Sequence, residues 1–249
     1  MEAGYRCAVQ REQERSRGLP PPAPPQERTA AQLVAESMRL YGRRFWKSLA
    51  LGFGPVVVAI GITALPGPSN LIFAATIGAL VVSACYVGGC VLASAVRPTR
   101  RSAATALLVG TLVFVPVPFL TRILVFPAVV WLALFGLAVP AVLVEDRGVR
   151  ESLGRAVALA RADFVHALGS LAALGIVGFV SALAMSSLLI QFGDQAREVA
   201  ALLPLFFVSP LLFLGAAQLY FDQHARLPEN APRAGLTAPQ RRGQPSTRG

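Results

Sequence analysis

Charged residues are unevenly spaced along this chain, and the gaps between them define its architecture. Six runs contain no Asp, Glu, Lys, Arg or His: 48–66, 71–96, 102–119, 123–144, 167–190 and 199–221. A helix needs about 20 apolar residues to cross a hydrocarbon core of ~30 Å. Four runs meet that length, 48–66 comes close, and 102–119 is marginal. Burial in a soluble core would explain any one of them. Six in a chain of 249 residues predict an all-α fold: a polytopic membrane helix bundle of about six transmembrane helices. The break after the third run is short, Pro116-Val117-Pro118 followed by Thr121-Arg122. An arginine at the bilayer centre costs ~2.5–3.5 kcal/mol on insertion scales, so Arg122 belongs near water or headgroups. Residues 102–144 are therefore expected to form a tight hairpin, with a re-entrant element as the alternative.

Polar positions with helical spacing flank the runs. In 145–163, EDRGVRESLGRAVALARAD, the residues Val149, Leu153, Val157 and Ala160 share one face, which Phe164 just beyond continues. Arg147, Arg150, Glu151, Arg155 and Arg161 lie mostly off it. Arg147–Glu151 and Glu151–Arg155 are spaced i to i+4, the separation at which opposite charges pair. Residues 29–47 have a similar pattern, with Leu33, Ser37, Leu40 and Tyr41 on one face beside Arg39, Arg43, Arg44 and Lys47. Both segments are expected to be short basic amphipathic helices on the cytoplasmic membrane surface, their apolar faces in the acyl boundary. Trp46 falls where an interfacial anchor is expected. The candidate headgroup or interfacial residues are Arg43, Arg44, Trp46, Lys47, Arg97, Arg100, Arg101, Arg150, Arg155 and Arg161.

Charged residues make up only 14% of the chain, against about a quarter in soluble domains, which excludes an ordinary soluble domain. The net charge of +10 does not point to nucleic acid. Its arginines gather at the ends of apolar runs, and Phe inside those runs is not the basic–aromatic interleaving that stacks bases. The expected partners are a bilayer with anionic headgroups, with membrane proteins or further copies of the chain also possible partners.

Orientation follows from the loops. If the chain crosses six times, 21 of its 23 Lys and Arg fall on one side, leaving Arg122 and Arg197 on the other. The positive-inside rule then places both termini in the cytoplasm of a multi-pass protein of the cell membrane. Residues 1–28, with the Leu19–Pro25 proline tract, and 228–249 are expected to be disordered cytoplasmic tails around a 29–227 membrane domain.

Chemistry inside the runs is sparse. No ionisable residue lies within them; Asp163, His166, Asp222 and His224 sit at their edges. Two histidines leave little for an acid–base site, and the spacing of Cys7, Cys85 and Cys90 suggests no zinc site. No nucleotide-binding, serine-hydrolase or zinc-protease motif occurs. Neither catalytic residues nor a cofactor is expected. Gln218, Ser209 and Tyr220 could line a polar path or bond between helices. Small residues four apart, Ala84/Gly88, Cys85/Gly89/Ala93 and Gly178/Ala182/Ser186, suit close helix packing. Pro127, Pro140, Pro204 and Pro210 should kink the fourth and sixth helices. Glu36-Ser37 and Glu151-Ser152 each precede a Phe that opens a run, a partial echo between halves.

The segment Val139 to Ala156 carries Glu145, Gly148, Glu151, Ser152, Leu153 and Arg155 in a Glu-x-x-Gly-x-x-Glu-Ser-Leu-x-Arg pattern. It resembles the bacterial family of the glycerophosphodiester phosphodiesterase membrane domain and its six-helix integral membrane relatives. The likeness covers about residues 30–227. Ala156 stands where that family often has Ser, and Ala162-Asp163-Phe164 where Gly-x-Phe is common. The resemblance implies a six-helix fold in a membrane and no catalysis, because the phosphodiesterase activity belongs to a separate soluble domain fused to some members. Two readings remain. One is a non-enzymatic protein organising partners or lipids at the cytoplasmic leaflet. The other is a transporter component for an uncharged or amphiphilic solute, which requires a polar cavity near Gln218.

Overall fold

The computed structural model describes residues 29–94, 96–189 and 194–226, and no strand occurs among them. Both expected tails lie outside the described residues. The helices in chain order are α1 (Ala30–Arg43), α2 (Phe45–Ala50), α3 (Phe53–Ala64), α4 (Ser69–Phe73), a π-helical turn (Ala74–Gly78), α5 (Ala79–Ser94), α6 (Arg100–Phe114), α7 (Val117–Ile123), α8 (Val125–Phe135), α9 (Ala138–Glu145), α10 (Val149–Ala162), α11 (Phe164–Leu189) and α12 (Asp194–Arg226). They combine into six helices long and apolar enough to cross a membrane: Phe45–Ala64, Ser69–Ser94, Arg100–Ile123, Val125–Glu145, Phe164–Leu188 and Leu202–Arg226.

The marginal third run reaches full length because its prolines do not end it. Pro116 and Pro118 fall at the start of α7, where a missing N–H costs nothing, and the segment continues to Ile123. The reversal comes at Leu124, whose extended backbone (φ −163°, ψ 149°) separates α7 from α8. Residues 102–144 therefore form the hairpin, with α6 packed on α9 and α7 on α8. Trp131 Nε1 donates to the Val113 carbonyl across it at 2.8 Å.

The proline expectation is met in the fourth span, which breaks four residues before Pro140. Pro127 and Pro140 lie in the first turns of α8 and α9. The break falls between them, at Gly136-Leu137. Pro140 has no N–H to give the Gly136 carbonyl four residues earlier. Tyr86 on the second span supplies the missing donor, its hydroxyl 2.9 Å from that oxygen. In hydrocarbon no water can fill that role, so a buried tyrosine is fixed where a proline stands. Pro204 and Pro210 lie inside α12, which runs on as one helix.

Packing is closest where side chains vanish. A Cβ built on Gly52 would lie 2.0 Å from the Phe206 carbonyl oxygen, and one on Gly110 would lie 2.1 Å from Ser83 Oγ. Gly89 and Gly178 face Phe213 and Val208 of the sixth span, so these small-residue stripes are used within the bundle. Spans four and six are the most buried, while span five is the least. Outward residues such as Phe53, Ile72, Leu108, Ile176, Phe179 and Leu183 form an exposed apolar girdle of the kind lipid covers.

Neither amphipathic helix lies free on a surface, which corrects that expectation. α1 packs against α11 and α12 and buries Leu33, Val34 and Ser37. α10 packs against α6, α8, α9 and α12 and buries Ser152, Ala156, Leu159 and Ala160. The buried stripe of α10 is centred on small residues rather than on Val149, Leu153 and Val157, which are only half-buried. Small side chains let the helix approach the bundle; the larger apolar ones flank the contact.

Candidate functional site: a polar clasp at the arginine-rich end

Four side-chain contacts define one end of the bundle. Arg44 donates to the Leu92 carbonyl at 3.3 Å, Ser102 to Val142, Glu145 meets Tyr220, and Asp163 meets Arg226. Basic loops between alternate spans are thus gathered at the same end.

Glu145 is at the centre of this end. It closes the fourth span, and only 14% of its side chain is exposed. Asp146 follows it in the left-handed region (φ 49°) and turns the chain sharply into α10. Glu145 Oε1 accepts from the Tyr220 hydroxyl at 2.6 Å and from Arg155 Nε at 3.1 Å. Oε2 accepts from Arg147 Nε. His224 Nδ1 lies 3.6 Å from Oε1 and 3.2 Å from Arg155 Nη2. Arginine can only donate, so Nδ1 accepts in that contact. The His224 ring stacks on Tyr220, one helical turn earlier, with centroids 5.8 Å apart.

A second cluster adjoins it. Asp163 caps α11, with Oδ1 accepting from the His166 backbone N–H at 3.1 Å. Its Oδ2 takes Arg226 Nη1 at 3.0 Å, and its carbonyl accepts from Gln223 Nε2 at 3.4 Å. The two carboxylates therefore hold both ends of α10 to the last two turns of α12.

This geometry corrects the pairing read from helical spacing. Arg147 and Arg155 bond Glu145, not Glu151, which is exposed. A carboxylate at the membrane boundary is less solvated than one on an open helix face, so it attracts the guanidinium groups more strongly. Of the candidate headgroup residues, Arg155 is turned inward. Arg43, Arg44, Trp46, Lys47, Arg97, Arg100, Arg101, Arg150 and Arg161 are exposed, Trp46 by 79%. Among the described residues, no carboxylate lies within ion-pair reach of Arg43, Arg44 or Lys47.

Interhelical bonding by Tyr220 is the use expected from the sequence, whereas the roles of Glu145 and His224 are visible only in the structure. The available signal was Tyr220, Gln223, His224 and Arg226 recurring at three- and four-residue spacing where the last run ends. Of the three polar residues considered for a path, Tyr220 bonds between helices, whereas Ser209 Oγ is buried without a hydrogen-bond partner. The Glu145 carboxylate is occupied by three donors. No group of three His, Cys, Asp or Glu with metal-binding geometry occurs among the described residues.

A cavity of about 280 Å³ lies deeper, lined by Leu132, Leu137, Leu171, Leu174, Leu212 and Phe213 among others; Gln218 is not among its lining residues. Fold and clasp together define a multi-pass, all-α membrane protein with a cationic end. No family model, curated protein or solved structure matches the chain.

Proposed function

We propose that this is a non-enzymatic protein of the cell membrane, its termini cytoplasmic, that organises lipids or partner proteins at the inner leaflet through its cationic end. The observation that supports this is the separation of charge roles. Glu145 and Asp163 bind Arg147, Arg155 and Arg226 internally. Arg43, Arg44, Lys47, Arg97, Arg100, Arg101, Arg150 and Arg161 remain outward, beside the exposed Trp46. Each cation near an anionic surface contributes about 1 kcal/mol, so such a rim favours anionic headgroups.

The motif that resembles the glycerophosphodiester phosphodiesterase membrane domain supplies the clasp. Glu145 and Arg155 are its first and last residues, and Gly148 is the N-cap of α10. We propose kinship with that family on this ground, without its fused catalysis.

Reconstitution tests the reading. The R43E/K47E protein, which keeps the Arg44 bond to Leu92, should insert and melt like the unaltered protein, yet lose much of its preference for phosphatidylglycerol over phosphatidylcholine nanodiscs. An unchanged preference would refute the headgroup role. Tags at both ends should be protected in sealed inside-in cells; opposite exposure of the two ends would refute the topology.

A further inference from the structure

We propose that the cavity among the fourth, fifth and sixth spans is a binding site for one acyl chain of a bilayer phospholipid. This deepens the proposed function by giving the lipid a tail site, and it rests on that reading only for the leaflet concerned.

Four observations support it. The lining is apolar: Val129, Leu132 and Leu137 from the fourth span, Leu171 and Leu174 from the fifth, and Leu212, Phe213 and Leu219 from the sixth. Its polar groups are already used, because the Tyr86 hydroxyl and the Gly136 carbonyl bond each other. A guest therefore finds no hydrogen-bond partner, and an apolar cavity of this kind excludes water. The volume of about 280 Å³ is just below the ~300 Å³ at which pockets for drug-sized ligands begin. That suits a single chain rather than a whole lipid.

Depth supplies the fourth argument. Leu137, Leu171 and Leu219 lie seven or eight residues from Glu145, Asp163 and Arg226. At the helical rise the cavity begins ~10–12 Å below the charged end, at the level of acyl chains rather than headgroups. Its open side is marked by Gly175, an exposed lining residue. α1, with its outward cations, packs on the fifth and sixth spans above it.

Gly175 also provides the test, because a Cβ added there meets nothing within 4 Å. The full chain is purified in detergent and titrated with dioleoyl phosphatidylglycerol or dioleoyl phosphatidylcholine under native mass spectrometry. The unaltered protein should keep one saturable adduct of either lipid. Gly175→Leu should weaken both by at least tenfold without lowering the lipid-free melting temperature, while Gly175→Ala should bind normally. Full retention by Gly175→Leu would overturn the tail site and leave the headgroup reading standing. Conversely, R43E/K47E should keep the adduct and lose only the preference between headgroups. A second measurement uses the unaltered protein with a diazirine-tailed phosphatidylglycerol. Crosslinks should map to 171–175 and 212–219, and labelling confined to the outward Ile176, Phe179 and Val180 would overturn the proposal.

Discussion

α1 and α10 are two versions of one device. Each has 14 residues, each leads through one non-helical residue into a Phe that opens a span, and each buries a serine against the bundle, Ser37 or Ser152. They differ in how their charges are used. On α10, Arg155 turns inward to Glu145, and Asp163 at its end takes Arg226. On α1 the one ion pair among the described residues, Arg39 with Glu36 at 3.5 Å, is a surface contact. Arg43 and Arg44 at its end, with Lys47 beyond, remain outward. An arginine beside a span can thus be a structural tie or a free cation. The difference depends on whether a carboxylate closes the neighbouring span.

Removing the carboxylates tests this comparison most severely. Glu145→Ala leaves the buried Tyr220 and the partly buried Arg155 without their acceptor, and should cost about 3 kcal/mol in unfolding free energy. A thermal melt in detergent will show it, and a loss under 1 kcal/mol would mean the clasp holds nothing together. Overpacking comes next. Ser37→Leu and Ser152→Leu should each cost about 1–3 kcal/mol, since both serines are fully buried. If only Ser152→Leu is destabilising, α1 is not docked on the bundle.

Smaller effects sharpen the picture. Thr29→Ala removes the capping box that Thr29 and Gln32 form at the start of α1, at a cost of about 1 kcal/mol. Circular dichroism during thermal unfolding should detect an earlier loss of helix, and an unshifted curve would contradict the cap. Tyr86→Phe strips the Gly136 carbonyl of its donor and should cost about 1 kcal/mol. Protease nicking at the fourth-span break would report it; equal resistance would mean that Tyr86 is not needed there. Glu36→Ala should change stability by less than 0.5 kcal/mol, because exposed pairs contribute little. A loss as large as that of Glu145→Ala would erase the contrast between the helices.

Much of this was legible in the order of residues. Long uncharged runs give the spans, because unpaired charge is costly in hydrocarbon. The helical spacing around Ser37 and Ser152 gives the two amphipathic helices. The pairing of Arg155 was not legible. Local spacing offered Glu151, whereas the actual partner comes from the preceding helix across a left-handed residue, Asp146. Tyr86 was unreadable for the same reason, since its purpose is a carbonyl 50 residues away.

Sequence alone determined the all-α, six-span character and the sorting of arginines toward one end. Both follow from transfer free energies that each residue carries independently of its neighbours. Tertiary structure decided which arginines are neutralised, where the fourth span breaks, and where the bundle leaves an apolar cavity. Those features depend on distances between segments far apart in the chain. A carboxylate meets Tyr220 and Arg155, or the Gly136 carbonyl that Pro140 leaves without a donor meets Tyr86, only after the helices have packed.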